Sequence, residues 1–342
     1  MVFMMIDSPA FRFPSSNFQV SNAMRLIQYC NVGNIVGGTA ACAWSVTRAL
    51  PDFEHVVLFR SPPTVETRRA FEHCLTACVP HLSQEILKSW AADVLMMHNI
   101  SPANVFWGLD EQKLTVRGLQ YIHSAGGSRA GAARVVCCSE SLRKQLDQPS
   151  IDVLVQGVPI AVSGWGCERD QNRFVVGRIC TPVDRKWPRE LLGFYEQLAK
   201  AHPRIEWEFV GCPQSLELPL REACCGRVVF HRAEFHARRL MRTWHGLVYH
   251  HPSLSETFGR TVAEAMRCGC VPVVNDLGGF REQIIPDAGY LCEDVDAFAV
   301  ALGELLIPER WISQSQNCQS HADEHFSIRS FRQRLLSQLI RC

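Results

Sequence analysis

Residues His250–Glu282 read HHPSLSETFGRTVAEAMRCGCVPVVNDLGGFRE, and this stretch has the most informative pattern in the chain. It begins at the end of an apolar run, Gly246–His250, which has the length of one buried strand. A loop rich in proline and serine separates that run from Val262–Met266, where apolar residues recur at helical spacing until Gly269. A second apolar run, Val271–Val274, leads into a glycine-rich turn. This order predicts half of a parallel α/β sheet, with loops and helix N-termini gathered at the carboxyl ends of the strands.

Two glutamates lie where such a sheet places its ligand. Glu256 is in the loop before the helix, and Glu264 is on the helix eight residues later. The start of the helix, which includes Thr257, Phe258 and Gly259, carries free backbone amides that can seat a phosphate. Carboxylates accept hydrogen bonds from hydroxyls, and amides donate to phosphoryl oxygens. The combination therefore suits a sugar that carries a diphosphate.

The stretch resembles the retaining glycosyltransferases of family 4, within glycosyl transferases group 1, which have the GT-B fold. Glu256 and Glu264 stand at the spacing of that family's Glu-x7-Glu motif. The resemblance implies that the counterpart of Glu256 lies against the donor sugar and that the counterpart of Glu264 holds the ribose hydroxyls. The residues that carry the resemblance are Ser255–Gly259, Glu264–Met266, Gly269, Pro272–Val274 and Gly278–Glu282.

Length and composition indicate a globular protein of two ordinary domains. The chain has 342 residues, of which 47% are hydrophobic and 20% charged. A net charge of +1 argues against a dedicated nucleic-acid partner. The apolar start at Met1–Ile6 is too short for the core of a signal peptide, and no apolar run approaches the roughly 18 residues of a membrane span. We expect a cytoplasmic protein, with peripheral membrane contact left open.

The cysteines are expected to be reduced. There are 16 of them, scattered through the chain and mostly flanked by apolar residues, which is typical of core thiols. The pairs Cys224–Cys225 and Cys74–Cys78 lack the spacing or the second ligand pair of a zinc site. The sequence therefore predicts neither a disulfide framework nor a zinc site at these pairs.

The chain reads as two successive β/α halves. Pro159, Ser163 and the neighbouring glycines of residues 157–166 suit a linker. The predicted fold class is α/β, and the resemblance makes it GT-B, with two Rossmann-like domains facing a central cleft. Residues 1–157 form the acceptor-side domain, of which 1–22 are an irregular extension. Residues 158–325 form the donor domain, and 326–342 form a helix that packs back on the first domain.

Apolar runs and helical spacing place the elements of each half. Helices are predicted at Ser83–Ala92, Arg189–Ala201 and Glu234–Thr243, the last of them basic. Strands additional to those above are predicted at Met24–Cys30, His55–Phe59, Asp93–Asn99, Gly118–His123, Arg134–Ser139, Asp152–Val158, Arg173–Arg178, Trp207–Gly211, Arg227–Phe230 and Gly289–Cys292.

The second half offers cations for a pyrophosphate. Gly177 and Arg178 end a strand, and Lys186 follows in a loop. An arginine grips phosphate oxygens as a fork, whereas a lysine acts as a point charge. The segment resembles the family's Gly-Arg loop, in which an arginine and a later lysine hold the donor phosphates. The family's loop is shorter, and Arg185 is the alternative to Lys186.

The first half offers a glycine pair and two histidines. Gly37 and Gly38 follow the first strand, where glycine lets the backbone approach a phosphate or sugar closely. The resemblance implies that this loop faces the donor. His123 ends a strand before a flexible turn and resembles the family's cleft histidine near the donor sugar. His98, at the end of the preceding strand, is the second candidate.

Other polar residues near strand ends are assigned more ordinary roles. Ser139 precedes a helix and is expected to be its N-cap. Arg232 lies where the family places the nucleotide base, and both a contact with the base and a solvated position are left open. The basic segment with Arg238, Arg239 and Arg242 is expected to be a solvated face.

The function that the resemblance implies is transfer of a sugar from a nucleotide-sugar to an acceptor hydroxyl, with retention at the anomeric carbon. The acceptor is expected to be a glycan or a lipid-linked glycan. No Asp-x-Asp motif is present to bind a divalent metal, so no metal or cofactor is expected. A sugar phosphorylase and a non-catalytic nucleotide-sugar-binding relative remain alternatives. A Rossmann oxidoreductase is disfavoured, because the first strand is not followed by a clean Gly-x-Gly-x-x-Gly motif.

Overall fold

The computed structural model describes residues 23–106, 116–126, 134–160, 169–170 and 172–342. The predicted extension at residues 1–22 and most of the predicted linker lie outside these ranges. The chain divides into two compact units. The first unit holds the described residues before Ser139, together with Leu142–Gly157 and Phe331–Cys342, and the second holds Ser139–Ser141 and Val158–Ser330. The domains predicted for residues 1–157, 158–325 and 326–342 stay predictions.

The first unit is built on a seven-stranded parallel sheet in the order β3-β2-β1-β5-β7-β8-β9, with β4 and β6 paired separately. The central strands are continuous apolar runs, as expected for strands with helices on both faces. Ile27 of β1 is fully buried between Val56 of β2 and Leu95 of β5. The elements are β1 Arg25–Cys30, α1 Gly38–Ala49, β2 Glu54–Phe59, α2 Val65–Ala70, β3 Leu75–Cys78, β4 Leu82–Ser83, α3 Gln84–Ser89, β5 Val94–His98, β6 Val105–Phe106, β7 Arg117–Ile122, β8 Arg134–Cys137, α4 Glu140–Gln145 and β9 Asp152–Val153.

The second unit is built on a six-stranded parallel sheet in the order β12-β11-β10-β13-β14-β15. Its central strand β13 lies between β10 and β14, and Gly246 pairs with Val176 on one side and Val271 on the other. The elements of the second half of the chain are β10 Phe174–Ile179, α5 Leu191–Ala201, β11 Ile205–Val210, α6 Gln214–Ala223, β12 Val228–His231, β13 Gly246–Tyr249, α7 Arg260–Arg267, β14 Val271–Asn275, β15 Tyr290–Cys292, α8 Val295–Leu305, α9 Pro308–Phe326 and α10 Ile328–Ile340.

Several short elements differ from the sequence-based expectation. The segments α2, β3 and α6 were not predicted, since the two in the first unit are short and α6 contains Pro219. The basic segment Phe235–Arg242 is a 3-10 helix and not the α-helix expected over Glu234–Thr243. Helix α3 is six residues long and ends before the predicted Ala92. The spacing of apolar residues alone cannot distinguish a short α-helix, a 3-10 helix and a loop, because one or two turns contain too few apolar positions.

Helix α10 returns to the first unit. Arg332 donates to the carbonyl of Ala49 at 2.7 Å and to Asp52 at 2.8 Å. The side chain of Phe331 lies so close to Gly157 that a Cβ built there would be 2.4 Å from the Cβ of Phe331 and 2.8 Å from its ring. Among the described residues, no helix combines the length and the apolar composition that a membrane span needs.

Candidate functional site

The loop after β13 is folded around His251. Asn275, at the end of the neighbouring parallel strand β14, accepts the His251 amide at 2.7 Å, and its Nδ2 lies 3.0 Å from Nδ1 of His250. The His251 ring accepts the Leu254 amide on Nδ1 at 2.8 Å, and its Nε2 contacts the carbonyl of Arg185 at 2.8 Å. The imidazole is therefore neutral, and burial also lowers its pKa. This buried histidine joins the loop that carries Glu256 to the loop that carries Lys186.

The start of α7 presents unpaired amides. Gly259 is the N-cap, with φ of +80°, and a Cβ there would lie 2.3 Å from the ring of Phe280. Only glycine fits this combination of backbone conformation and close contact. Within the described residues, the amides of Phe258 and Gly259 donate to no acceptor. These amides, with the helix dipole behind them, are available to an anion, and the predicted phosphate seat stays a prediction.

The glycine-rich loop packs directly on the loop that carries Glu256. The Gly279 amide donates to the carbonyl of Glu256 at 2.9 Å. Gly278 has φ of +57°, and a Cβ there would lie 2.1 Å from Oγ of Ser255. The Gly-Gly pair is therefore required by packing of the two loops.

Glu256 and Lys186 form an ion pair at the centre of the site. The Lys186 ammonium and the Tyr249 hydroxyl both donate to Oε1 of Glu256. Oε2 of Glu256 accepts no hydrogen bond from the described residues, and 22% of this side chain is exposed. Burial raises the pKa of the Glu256 carboxyl, but Lys186 and Tyr249 outweigh burial and bring the pKa below its ordinary value. The site thus holds an ionised carboxylate with one oxygen available to a ligand.

Arg178 lies beneath this pair and is fully buried. Its guanidinium is sandwiched between the rings of Trp187 and Tyr249, 4.9 Å and 4.8 Å from their centroids. It donates to the carbonyls of His250 and Lys186, each at 2.9 Å. The structure places Arg178 as a support for the two loops, with Nε left without a hydrogen-bond partner among the described residues. Its predicted direct contact with phosphate stays a prediction.

Gly177, which precedes Arg178 on β10, is required by packing. A Cβ at this position would lie 2.0 Å from the ring of Trp244. The glycine therefore admits a buried tryptophan, and the predicted contact with the donor stays a prediction.

Glu264 is buried and doubly paired. Oε1 accepts from Nε of Arg260 at 2.8 Å, and Oε2 accepts from Nε of Arg238 at 3.0 Å. Only 4% of Glu264 is exposed. Arg238 therefore does not belong to a solvated face, and the sequence-based expectation for this residue is wrong. The neighbouring Arg239 is exposed as expected.

Glu282 of the glycine-rich motif caps α4. Its carboxylate accepts the amides of Glu140 and Ser141 at 2.8 Å and 2.5 Å. The Ser139 hydroxyl donates to the carbonyl of Thr257. Glu282 thus takes two amides at the start of α4, and the expected cap role of Ser139 stays a prediction. Arg232 is exposed, and its predicted contact with a base stays a prediction.

The predicted residues of the first unit lie at the carboxyl ends of its strands. Nδ1 of His98 is 3.0 Å from Nε2 of His123, and the two rings lie within 3° of parallel. Nε2 of His98 contacts Oε1 of Gln28 at 3.0 Å, and Nδ1 of His123 contacts Nε2 of Gln156 at 3.2 Å. Burial lowers the pKa of His98 to about 3, so this ring is neutral at physiological pH.

Gly37 and Gly38 open α1 in the same unit. Gly37 is its N-cap, and no atom of the described chain lies within 4 Å of a Cβ built at Gly38. Packing therefore does not explain the glycine at position 38, which is compatible with a ligand that approaches the backbone there.

The structure thus brings together Lys186, Glu256 and the amides of Phe258 and Gly259 in the second unit. Sequence reasoning missed Tyr249, His251 and the partners of Glu264. Arg260 stands four residues before Glu264, so helical spacing could have shown that pair. The other contacts join residues that are distant in sequence and have no local signal.

Residues 171–307 match the family model described as Glycosyl transferases group 1. The match confirms the predicted resemblance for the segment that contains Glu256 and Glu264, and it is compatible with family 4. No curated protein matches the sequence.

Solved structures resemble nearly the whole chain. Alr3699/HepE of Anabaena, in complex with UDP and glucose, has 15% identity and a TM-score of 0.74, and the alignment covers 94% of this chain and 100% of that one. A glycosyltransferase of Rickettsia africae has 14% identity and a TM-score of 0.74 over 94% and 99% of the two chains. Sucrose-phosphate synthase of Thermosynechococcus elongatus has 18% identity and a TM-score of 0.66 over 93% and 98%. With the two parallel sheets, these likenesses confirm the predicted GT-B fold.

Proposed function

We propose that this protein is a retaining glycosyltransferase that transfers a sugar from a nucleotide-sugar to an acceptor hydroxyl. The observation that carries the proposal is Glu256, whose Oε1 takes both protein donors while Oε2 is left to a ligand. A carboxylate that only stabilised the fold would gain most by engaging both oxygens. The family match over residues 171–307 supports the same conclusion.

The phosphates of the donor are proposed to bind at the amides of Phe258 and Gly259 and at the Lys186 ammonium. Both groups favour negative charge, and a leaving nucleoside diphosphate gains charge as the sugar departs. Before the donor binds, Lys186 is paired with Glu256. The pyrophosphate therefore competes with Glu256 for the ammonium, which frees the carboxylate to accept a sugar hydroxyl.

The ribose is proposed to bind at Glu264, as the resemblance implies. Arg260 and Arg238 already hold one oxygen each, so the carboxylate is fixed in orientation. Arg238 is the more exposed of the two arginines, and its side chain is the one that can make room for the ribose. The sugar is proposed to extend towards Glu256.

Retention is proposed to follow from attack on the face that the phosphate leaves, with the leaving phosphate helping to deprotonate the acceptor. Arg178 serves this reaction as a positioning residue, since it holds the backbone of Lys186. We further propose that the transfer needs no metal or cofactor, that the acceptor is a glycan or lipid-linked glycan, and that the protein acts in the cytoplasm. Placement of His123 and of the Gly37–Gly38 loop near the donor sugar belongs to the same proposal.

The first donor to test is a UDP-sugar, because the structural neighbour HepE is described in complex with UDP-glucose. UDP, GDP, ADP and uridine are titrated into the full chain by calorimetry, and a panel of sugar nucleotides is then incubated with and without acceptors. We expect a diphosphate to bind more tightly than its nucleoside, with slow hydrolysis and faster transfer. Tight binding without turnover would identify a binding protein, and turnover only with inorganic phosphate would identify a phosphorylase.

A matched pair of variants separates chemistry from folding. Glu256→Gln removes the proposed catalytic charge, whereas Glu309→Gln removes a charge from an exposed position on α9. Transfer should be lost in the first variant and kept in the second. Equal activity of the two would refute the proposal for Glu256.

A further inference from the structure

Two backbone carbonyls just before α7 are held from inside the second unit, and we propose that the residues holding them, Ser139 and Gln283, are positioning residues for the donor phosphates. The Ser139 hydroxyl donates to the carbonyl of Thr257, and Nε2 of Gln283 donates to the carbonyl of Phe258. Ser139 is 1% exposed and Gln283 is fully buried. The inference rests on the proposed function, in which the amides of Phe258 and Gly259 bind the pyrophosphate.

The planar peptide bond links each held carbonyl to one of these amides. The peptide bonds of this loop are trans, so the C=O of one residue and the N–H of the next residue point in opposite directions. Because the carbonyl of Thr257 points to Ser139, the amide of Phe258 points away from that hydroxyl. Because the carbonyl of Phe258 points to Gln283, the amide of Gly259 points away from that buried side chain. The two side chains therefore set the direction in which the two amides donate.

The contacts of Gln283 are explained better by this role than by stability. Its Nε2 faces two carbonyls, those of Phe258 and, at 3.4 Å, Gly259. Its Oε1 is buried and has no hydrogen-bond partner among the described residues. A buried amide that is only half satisfied contributes little to the stability of a fold. The side chain does supply a fixed N–H donor beneath the start of α7, where a donor orients the backbone.

The neighbouring residue Glu282 fixes the other holding residue. Its carboxylate takes the two amides that follow Ser139 in the chain. Consecutive residues of the glycine-rich motif thus hold Ser139 and the carbonyl of Phe258. Amides that are oriented in advance stabilise the charge of a departing phosphate without the cost of reorganisation.

Two matched pairs of full-length variants test the inference by calorimetry with UDP, uridine and inorganic pyrophosphate. Gln283→Met removes the N–H donor but keeps the length of the side chain, and its control Gln314→Met alters a buried glutamine of α9 that accepts a different amide. Ser139→Ala is compared with Ser315→Ala, which loses a hydroxyl that donates to a different carbonyl. Thermal melts show that each variant folds.

A hydrogen bond to a charged group corresponds to about 10- to 100-fold in affinity, and loss of its direction should cost part of this, at least about threefold for UDP and pyrophosphate. Affinity for uridine should be unchanged, because uridine has no phosphate. A residue with a merely structural role would change the affinities for UDP and uridine alike. The two control variants should bind all three ligands as the unaltered protein does.

NMR follows one of the amides directly. Labelling of phenylalanine carbonyl carbon with ¹³C and glycine nitrogen with ¹⁵N isolates the Gly259 amide, because Phe258–Gly259 is the one Phe-Gly pair of the sequence. Pyrophosphate should move the proton of this amide downfield in the unaltered protein and in Gln314→Met, and should move it less in Gln283→Met.

Each residue is judged by its own variant. A loss below about threefold for UDP, or an equal loss for uridine, would overturn the positioning role of that residue and leave the proposed sugar transfer standing. Unaltered protein that binds UDP but transfers no sugar would refute the proposed function, and the expected losses in the variants would still support the positioning roles. Unaltered protein that binds neither UDP nor pyrophosphate would overturn both.

Discussion

Replacing Glu256 by glutamine tests the site most directly. The change keeps the shape of the side chain and an oxygen for the Tyr249 hydroxyl, but it removes the charge that pairs with Lys186. A hydrogen bond to a charged group contributes roughly 1.5–3 kcal/mol. Both partners are partly exposed, at 15% and 22%, so solvent screens part of this and we expect a loss of folding free energy of about 1–2 kcal/mol.

The effect on catalysis should be larger than the effect on folding. Glu256 is proposed to act on the sugar as charge develops at the anomeric carbon, and loss of one such electrostatic contact lowers kcat by about 100- to 1000-fold. Affinity for UDP should stay the same or increase, because Lys186 no longer has a carboxylate competing with phosphate. A contact needed only in the transition state is recognised by this separation of kcat from affinity.

The assay combines steady-state transfer with calorimetric titration of UDP, and a thermal melt shows that each variant folds. Glu309→Gln is the control. A Glu256→Gln variant that keeps its kcat but binds UDP at least about tenfold more weakly would refute the reasoning, because the carboxylate would then act on the nucleotide and not on the sugar.

Three further changes address the neighbouring residues. Glu264→Gln should weaken the binding of UDP by about 1–3 kcal/mol and raise KM more than it lowers kcat. Calorimetry measures the UDP affinity and steady-state kinetics measure KM and kcat. A loss confined to kcat would contradict the ribose assignment. Arg178→Ala should destabilise the fold by about 3–5 kcal/mol, because it empties a buried site and leaves two carbonyls unpaired. Because Arg178 holds the backbone of Lys186, the variant should also lose more affinity for UDP than for uridine. A stable variant with unchanged UDP affinity would contradict the positioning role. The pKa of Glu256 is lowered in the folded state, so its ion pair should stabilise the fold above the ordinary carboxyl pKa of about 4.3 and lose that effect as the pH falls through the lower native pKa. The free energies of unfolding of wild type and Glu256→Gln, measured with denaturant, should therefore converge in that pH range. A constant difference between the two free energies across the range would exclude the linkage.

The local sequence pattern was sufficient to predict much of the secondary structure of the second unit. The apolar runs of β13 and β14 are bounded by proline, serine and glycine, so their positions and the start of α7 could be predicted with few alternatives. The same pattern placed Glu256 in the loop and Glu264 on the helix. The short segments α2 and β3 escaped prediction, because six and four residues give too little periodicity to distinguish them from loops.

The sequence alone determined which backbone positions reach the ligand edge of the second sheet, since parallel strands end together and glycine marks the turns. Only the tertiary structure decided what each long side chain does there. The rings of Trp187 and Tyr249 enclose Arg178, which the sequence did not indicate, and Arg238, which was expected to be solvated, holds Glu264. The physical reason is that a guanidinium takes whichever acceptors and ring faces the fold brings within reach, and those partners lie up to 72 residues away along the chain.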